Sequence, residues 1–177
     1  MSGWSPGTTG DLWLELDALF DRPAHLAPFL DALGSRLAES RPDVVCGPLT
    51  GGAFVALRVA EVLDIGFCFT KRTEEPTSRA LYSARYTLPG EPDIVGRRVA
   101  VVDDVINAGS ATSSTLATLR AAGAEPVVIG ALLVLGDNAR RLAEEQRLAL
   151  AMVTRHDNTI WEPGRCPLCA ARVALDN

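Results

Sequence analysis

From Arg41 onward, short apolar runs alternate with longer segments in which apolar residues recur every three or four positions. The runs DVVCG (43–47), IGFCF (65–69), RRVAVVDD (97–104), PVVIGALLVLG (126–136) and LALAMV (148–153) are bounded by glycine, proline or charge and predict buried strands. Between them AFVALRVAEVL (53–63), TSSTLATLRAA (112–122) and NARRLAEEQ (138–146) predict helices, with Gly123 placed to end the second. Repeated strand-then-helix units imply an α/β fold with a central parallel sheet covered on both faces. In such a fold ligands bind at the C-terminal ends of the strands.

Upstream, Leu26, Leu30, Leu33 and Leu37 line one face of a further helix, whose start is left open by Pro23 and Pro28. In LWLELDALF, Leu12, Leu14 and Leu16 alternate as in a strand, while Leu12, Leu16 and Leu19 also fit a helix; a strand is expected. Residues 71–96 are polar, punctuated by Pro76, Pro89 and Pro92, and carry Arg79, Tyr82, Arg85 and Tyr86. They read as a long excursion or β-hairpin, a length of connection that usually has a function.

Composition narrows the classes. A chain of 177 residues fits one domain with a proper core. No apolar run approaches a membrane span, and MSGWSPGTTG has neither the basic start nor the apolar stretch of a secretory signal, so a cytoplasmic location is expected. A net charge of −5 argues against general nucleic-acid affinity. Cys46 and Cys68 lie in apolar runs and read as buried thiols. Cys166-x-x-Cys169 offers two zinc ligands where a structural site needs four, and the histidines are only His25 and His156. The tail is therefore expected to pack over the sheet with Trp161 as anchor; a zinc site shared between subunits is the alternative.

The chemistry concentrates between Val99 and Thr115. Four apolar residues lead to Asp103 and Asp104, and the turn Val105-Ile106-Asn107-Ala108-Gly109-Ser110-Ala111 opens a hydroxyl-rich helix. Small residues let backbone N–H groups approach a phosphate, and the helix adds its positive N-terminal end. Asn107, Ser110, Thr112 and Ser113 supply side-chain donors. Two carboxylates would repel a phosphate, so they need another target; vicinal ribose hydroxyls fit. A bare Asp-Asp pair would more often simply face solvent, but the full strand–turn–helix run is far more specific.

VAVVDDVINAGSA resembles the PRPP-binding signature of type I phosphoribosyltransferases (PRPP is 5-phosphoribosyl 1-pyrophosphate). Asn107 stands where most relatives carry Thr. GPLTGG, Gly47 to Gly52, occupies the position of the family's pyrophosphate loop, implying that role for Leu49, Thr50, Gly51 and Gly52. Lys71 and Arg72 follow the next strand, where orotate phosphoribosyltransferases place basic residues against pyrophosphate. Arg79 and Arg85 fall in the family's mobile loop, about 71–92 here. The resemblance is closest to the orotate branch, whose N-terminal hood pattern is kept in spacing by residues 7–13, with Trp13 in place of tyrosine. Departures are the missing Lys-x-His of the mobile loop and the missing arginine after the strand ending at Gly136, where Gly136 and Asp137 stand instead. A carboxylate taken out of water needs charged or multiple donors.

The resemblance implies a single domain, with a core at about 41–153 and a hood from about 1–22 and 154–177. It implies Mg²⁺-dependent transfer of phosphoribosyl from PRPP to a nucleobase, orotate first among candidates, by a homodimer. Asp103 and Asp104 would be catalytic, residues 105–111 would hold the 5-phosphate, and Trp13 and Gly136 would border the base. Mg²⁺ is expected to bind through PRPP oxygens and water, with Asp103 and Asp104 as the candidate protein ligands. The rival reading is a PRPP-binding regulator without useful catalysis, or an enzyme for a different base.

Overall fold

The leucine stripe at positions 26, 30, 33 and 37 turns wholly inward. α1 (Ala27–Ala38) carries the last three at 1% exposure or less, and Pro28 sits in its first turn. Pro23 opens a separate 3₁₀ turn, Pro23–Leu26, so both prolines occupy first-turn positions, of successive elements. The computed structural model describes residues 9–10, 12, 14, 17–73, 85–161 and 164–172.

The elements after α1 are β2 (Val44–Pro48), α2 (Gly51–Leu63), β3 (Gly66–Thr73), β4 (Arg85–Thr87), β5 (Arg98–Ile106) and α3 (Ser110–Ala121). Then come β6 (Glu125–Leu135), α4 (Asn138–Gln146), β7 (Ala149–His156), β8 (Ile160–Trp161) and the short α5 (Pro167–Ala170). The main sheet has the order β4-β3-β2-β5-β6-β7, parallel throughout except for β4, which pairs antiparallel with the end of β3 at one edge. β1 (Thr9–Gly10) pairs antiparallel with β8 in a separate two-stranded ribbon.

β5 is the central strand, and its alternation divides the core. Val99, Val101 and Ile106 pack with Leu116 and Leu119 of α3 and Ala139 and Ala143 of α4. Ala100 and Val102 pack on the other face with the α1 leucines and with Val55 and Val59 of α2. Full burial of one such aliphatic side chain contributes about 1.5–3 kcal/mol, so β5 is held from both sides. Cys46 and Cys68, register partners on β2 and β3, are both buried, as expected.

Several expectations are corrected. The described residues of LWLELDALF do not form the expected strand: Leu12 and Leu14 lie in irregular backbone and Asp17–Phe20 is a 3₁₀ turn. β5 does not end at the acids; Val105 and Ile106 continue it, paired with Leu133 and Val134 of β6. Ile106, 1% exposed, is a core residue and not part of the turn. α3 starts at Ser110, so Ser110 and Ala111 form its first turn. Lys71 and Arg72 belong to β3, register partners of Thr87 and Tyr86 on β4, so residues 71–73 and 85–87 form the hairpin alternative.

Candidate functional site

The site grows from two strand ends lying side by side. β2 leaves the sheet at Pro48, and the next peptides turn tightly: Leu49 N–H donates to the Thr70 carbonyl and Thr50 N–H to the Pro48 carbonyl, each at 2.7 Å. Gly51 and Gly52 then start α2. A side chain on Gly51 would collide with the Asp104 carboxyl, and one on Gly52 with the Asp103 carboxyl and the Pro48 ring. A Cβ on Gly47 would strike the Gly52 carbonyl and lie 2.9 Å from that of Val102. The glycines are there because backbone and carboxylates meet with no room between them. The structure therefore brings the predicted GPLTGG turn and the acid pair together.

Electrostatics separate the two acids. Asp103 is 5% exposed, and burial raises its pKa well above the usual carboxylate range. The neighbouring Asp104 carboxyl adds to the rise, first through its charge and then through side-chain hydrogen bonding. The Asp104 N–H, donating to Asp103 Oδ1 at 3.1 Å, partly offsets it. The Thr112 hydroxyl also lies near enough to oppose the rise, though it is buried and makes no hydrogen bond of ordinary geometry. Asp104 is half-buried and the more accessible of the two.

Past Ile106 the turn expected to hold a phosphate is short. Gly109 adopts φ +78 as the N-cap of α3, and its carbonyl accepts from Ser113 N–H at 2.8 Å. Ala108, Ser110 and Ser113 are exposed, so three small residues present this helix N-terminus to solvent. Thr112, expected as a phosphate donor, is buried beside Asp103 instead.

A family model for the phosphoribosyl transferase domain matches residues 16–168. The chain belongs to that family. It is 24% identical over 171 residues to an orotate phosphoribosyltransferase of Caldanaerobacter subterraneus subsp. tengcongensis, covering 97% of this chain and 84% of the relative. It is 30% identical over 154 residues to an adenine phosphoribosyltransferase of Thermobifida fusca, covering 81% and 88%. The crystal structure of orotate phosphoribosyltransferase from Aeropyrum pernix shares the fold, with a TM-score of 0.68 and 23% identity over 81% of this chain and 78% of that one. The type I phosphoribosyltransferase fold expected from the PRPP-type motif is borne out.

In this phosphoribosyltransferase, β3 carries exposed Lys71 and Arg72 beyond the GPLTGG turn. Buried Thr70 just before them bonds to Thr115 of α3, hydroxyl to hydroxyl at 2.7 Å. Thr118 Oγ1 donates to the Tyr86 carbonyl at 3.2 Å, so α3 also grips the hairpin. Burial raises the Tyr86 pKa; the Arg72 charge lowers it in part and the Asp103 charge raises it further. Trp13 and Arg79 lie outside the described residues, and of Arg85 only the backbone, opening β4, is described.

The end of β6 supplies what sequence reasoning missed. Gly136 turns at φ +65, and its N–H donates to the His156 carbonyl at 2.9 Å. Arg155 of β7 reaches over it: Nε donates to the Gly136 carbonyl at 3.2 Å, and NH2 pairs with Asp137 at 3.2 Å and Asp157 at 3.0 Å. A cation thus stands near the place where the family arginine is absent, already engaged by two carboxylates. Asn158 is the second omission; its amide meets Asn107 of the phosphate turn at 3.0 Å. Neither residue belongs to a spaced pattern, so the chain offers no linear signal for them.

In the tail, Cys166 is buried, and its sulfur accepts from Cys169 N–H at 3.3 Å to cap α5. The backbone of Trp161 pairs with that of Thr9 in the ribbon of β1 and β8. Among the described residues, no three of the His, Cys, Asp and Glu type gather as a metal site, and no helix is long and apolar enough to cross a membrane.

Proposed function

We propose that this chain transfers the phosphoribosyl group of PRPP to a nucleobase and releases pyrophosphate. The observation that carries the reading is the contact of Gly51 and Gly52 with the Asp104 and Asp103 carboxyls, two strand residues before an exposed turn that opens α3. The bond from ribose C1 to pyrophosphate breaks, one to a base nitrogen forms, and C1 gains oxocarbenium character between them, as in glycoside hydrolysis. Asp104 and Asp103 accept hydrogen bonds from the ribose hydroxyls and set negative charge beside that carbon. Asn107 to Ala111 hold the 5-phosphate, so remote binding energy positions the reacting centre. Leu49 to Gly52, with Lys71 and Arg72, receive the leaving pyrophosphate.

Mg²⁺ fits this donor set: the Asp103 and Asp104 carboxyls, both gathered against the start of α2, are hard oxygen ligands whose mutual repulsion a divalent cation would relieve. Asp103 and Asp104 would hold it together with PRPP oxygens and water. The ion would neutralise pyrophosphate charge.

Orotate is the lead acceptor, supported by relatives matched across nearly the whole chain. Arg155 favours adenine as a second reading, because its ion pairs with Asp137 and Asp157 leave it less able to meet the orotate carboxylate. The β1–β8 ribbon supports a hood built from both ends of the chain. Phe29 of α1 and Phe54 and Leu57 of α2, each about half exposed, support a homodimer, which light scattering at working concentration would detect. The deciding experiment is pyrophosphate release from PRPP with Mg²⁺ and orotate, uracil, adenine, guanine or hypoxanthine. Turnover of orotate or adenine is the expected result. PRPP binding with turnover of none would turn the reading to the regulator.

A further inference from the structure

We infer that Asn158 is a positioning residue that fixes the Asn107 amide with its N–H side toward the 5-phosphate. The inference rests on the PRPP-binding reading above and adds to it a residue from outside the phosphate turn.

Asn107 opens that turn directly after β5, half-buried, with only a side-chain amide to offer a phosphate. A hydroxyl at this position can donate from whichever direction its rotor turns. An amide has two unlike ends: its nitrogen donates, while its oxygen would repel the anion. An asparagine here therefore serves phosphate only if something holds it the right way round. Asn158 Nδ2 donates to Asn107 Oδ1 at 3.0 Å, which engages the repelling end and leaves Asn107 Nδ2 for the ligand.

Asn158 is itself anchored. Its backbone carbonyl lies where a side chain on Gly136 would come within 2.8 Å, and Gly136 accepts this close approach in a left-handed conformation. One residue pair earlier, the His156 carbonyl accepts from Gly136 N–H, so residues 156–158 dock on the end of β6. Asn158 Oδ1 is buried without a hydrogen-bond partner. Leaving a buried carbonyl unpaired is unfavourable, and native proteins keep such groups where another requirement overrides it. Joining the two amides in the opposite sense would pair that oxygen, leave Asn158 Nδ2 in its unpartnered place, and turn Asn107 Oδ1 toward the phosphate. An anion in the turn would favour the sense seen here.

The test is calorimetric titration of the full chain with ribose 5-phosphate, and separately with Mg²⁺-pyrophosphate, which does not use the 5-phosphate turn. Asn158→Ala should weaken ribose 5-phosphate binding about tenfold, the scale of one hydrogen bond to a charged group, and leave pyrophosphate binding unchanged. Asn158→Asp should weaken it further, because its carboxylate would draw Asn107 Nδ2 away from the phosphate. In the Asn107→Thr background, Asn158→Ala should have no added effect, since a hydroxyl needs no such orientation. Equal losses in both backgrounds, or equal losses for both ligands, would overturn the inference, as would full affinity in Asn158→Ala. Melting temperatures of each variant separate these outcomes from misfolding. Wild-type protein that binds neither PRPP nor ribose 5-phosphate would sink the PRPP reading itself.

Discussion

The two ends of the proposed substrate would meet very different kinds of surface. Where the pyrophosphate and ribose would lie, the wall is backbone: glycines at 47, 51 and 52 pressed onto strand ends and carboxyls, with no space for a side chain. Where the base would lie, the described wall is made of polar side chains from β7 and from the turns after β6 and β7, Arg155, Asp137 and Asp157, and they are occupied with one another. A backbone wall tolerates little change in residue type. A side-chain wall can be retuned one substitution at a time, which suits a family whose matched relatives are named for different bases.

Breaking the backbone half should have the largest effect. Asp104→Asn and Asp103→Asn should each lower kcat/KM by about 10²–10³-fold, the scale of losing a preorganised electrostatic contact. The two should differ in stability. Asp103 binds its proton more tightly folded than unfolded, so its contribution favours the fold at low pH and is lost as pH rises through its raised pKa. Asp103→Asn should therefore melt higher than wild type above that pKa, and the gap should close in acid. A thermal melt series across pH reads this directly.

Gly52→Ala comes next, since its methyl group must displace the Asp103 carboxyl or the Pro48 ring. Overpacking of this kind costs about 1–3 kcal/mol, and PRPP affinity should fall with it. Denaturant unfolding and PRPP titration would check both.

The Thr70–Thr115 pair tests whether the two halves of the backbone wall are tied together. Either single change to Val leaves a buried hydroxyl unpaired, at about 1–3 kcal/mol, while the double change should be close to neutral. Additive losses in a double-mutant cycle would show the contact to be incidental.

The smallest effect should come from the side-chain half. Asp137→Asn removes an exposed ion pair worth at most about 1 kcal/mol, so stability should hardly move. What should move is selectivity: with one carboxylate fewer on Arg155, the orotate-to-adenine ratio of kcat/KM should rise a few-fold. An unchanged ratio would remove Arg155 from the base site.

The same contrast explains what could be read from the chain alone. The GPLTGG turn and its meeting with the acid pair were legible because close approach restricts residue identity, leaving Gly47, Gly51, Gly52, Asp103 and Asp104 as a visible pattern. The strand end was misplaced because Val105 and Ile106 are apolar enough for either strand or turn, and only pairing with β6 decides. LWLELDALF fitted two periods at once; of its described leucines, Leu12 and Leu14 lie in irregular backbone and Leu19 in a 3₁₀ turn. Asn158 and Arg155 left no linear trace, since Asn158 acts on a partner 51 positions away and a lone polar residue after a strand is unremarkable in itself.

The ribbon of β1 and β8 bears on how the protein is made. Thr9 and Gly10 pair with Trp161 and Ile160, so the first strand waits for the last during synthesis. By then every strand of the six-stranded sheet has left the ribosome, and none of them needs the ribbon as a pairing partner. Closing a loop of roughly 150 residues adds little free energy beyond that of a much shorter one, but such distant pairing forms slowly. The chain should therefore acquire its phosphate turn and acid pair as an early, self-supporting unit, and join its two ends as a late and separately reversible event.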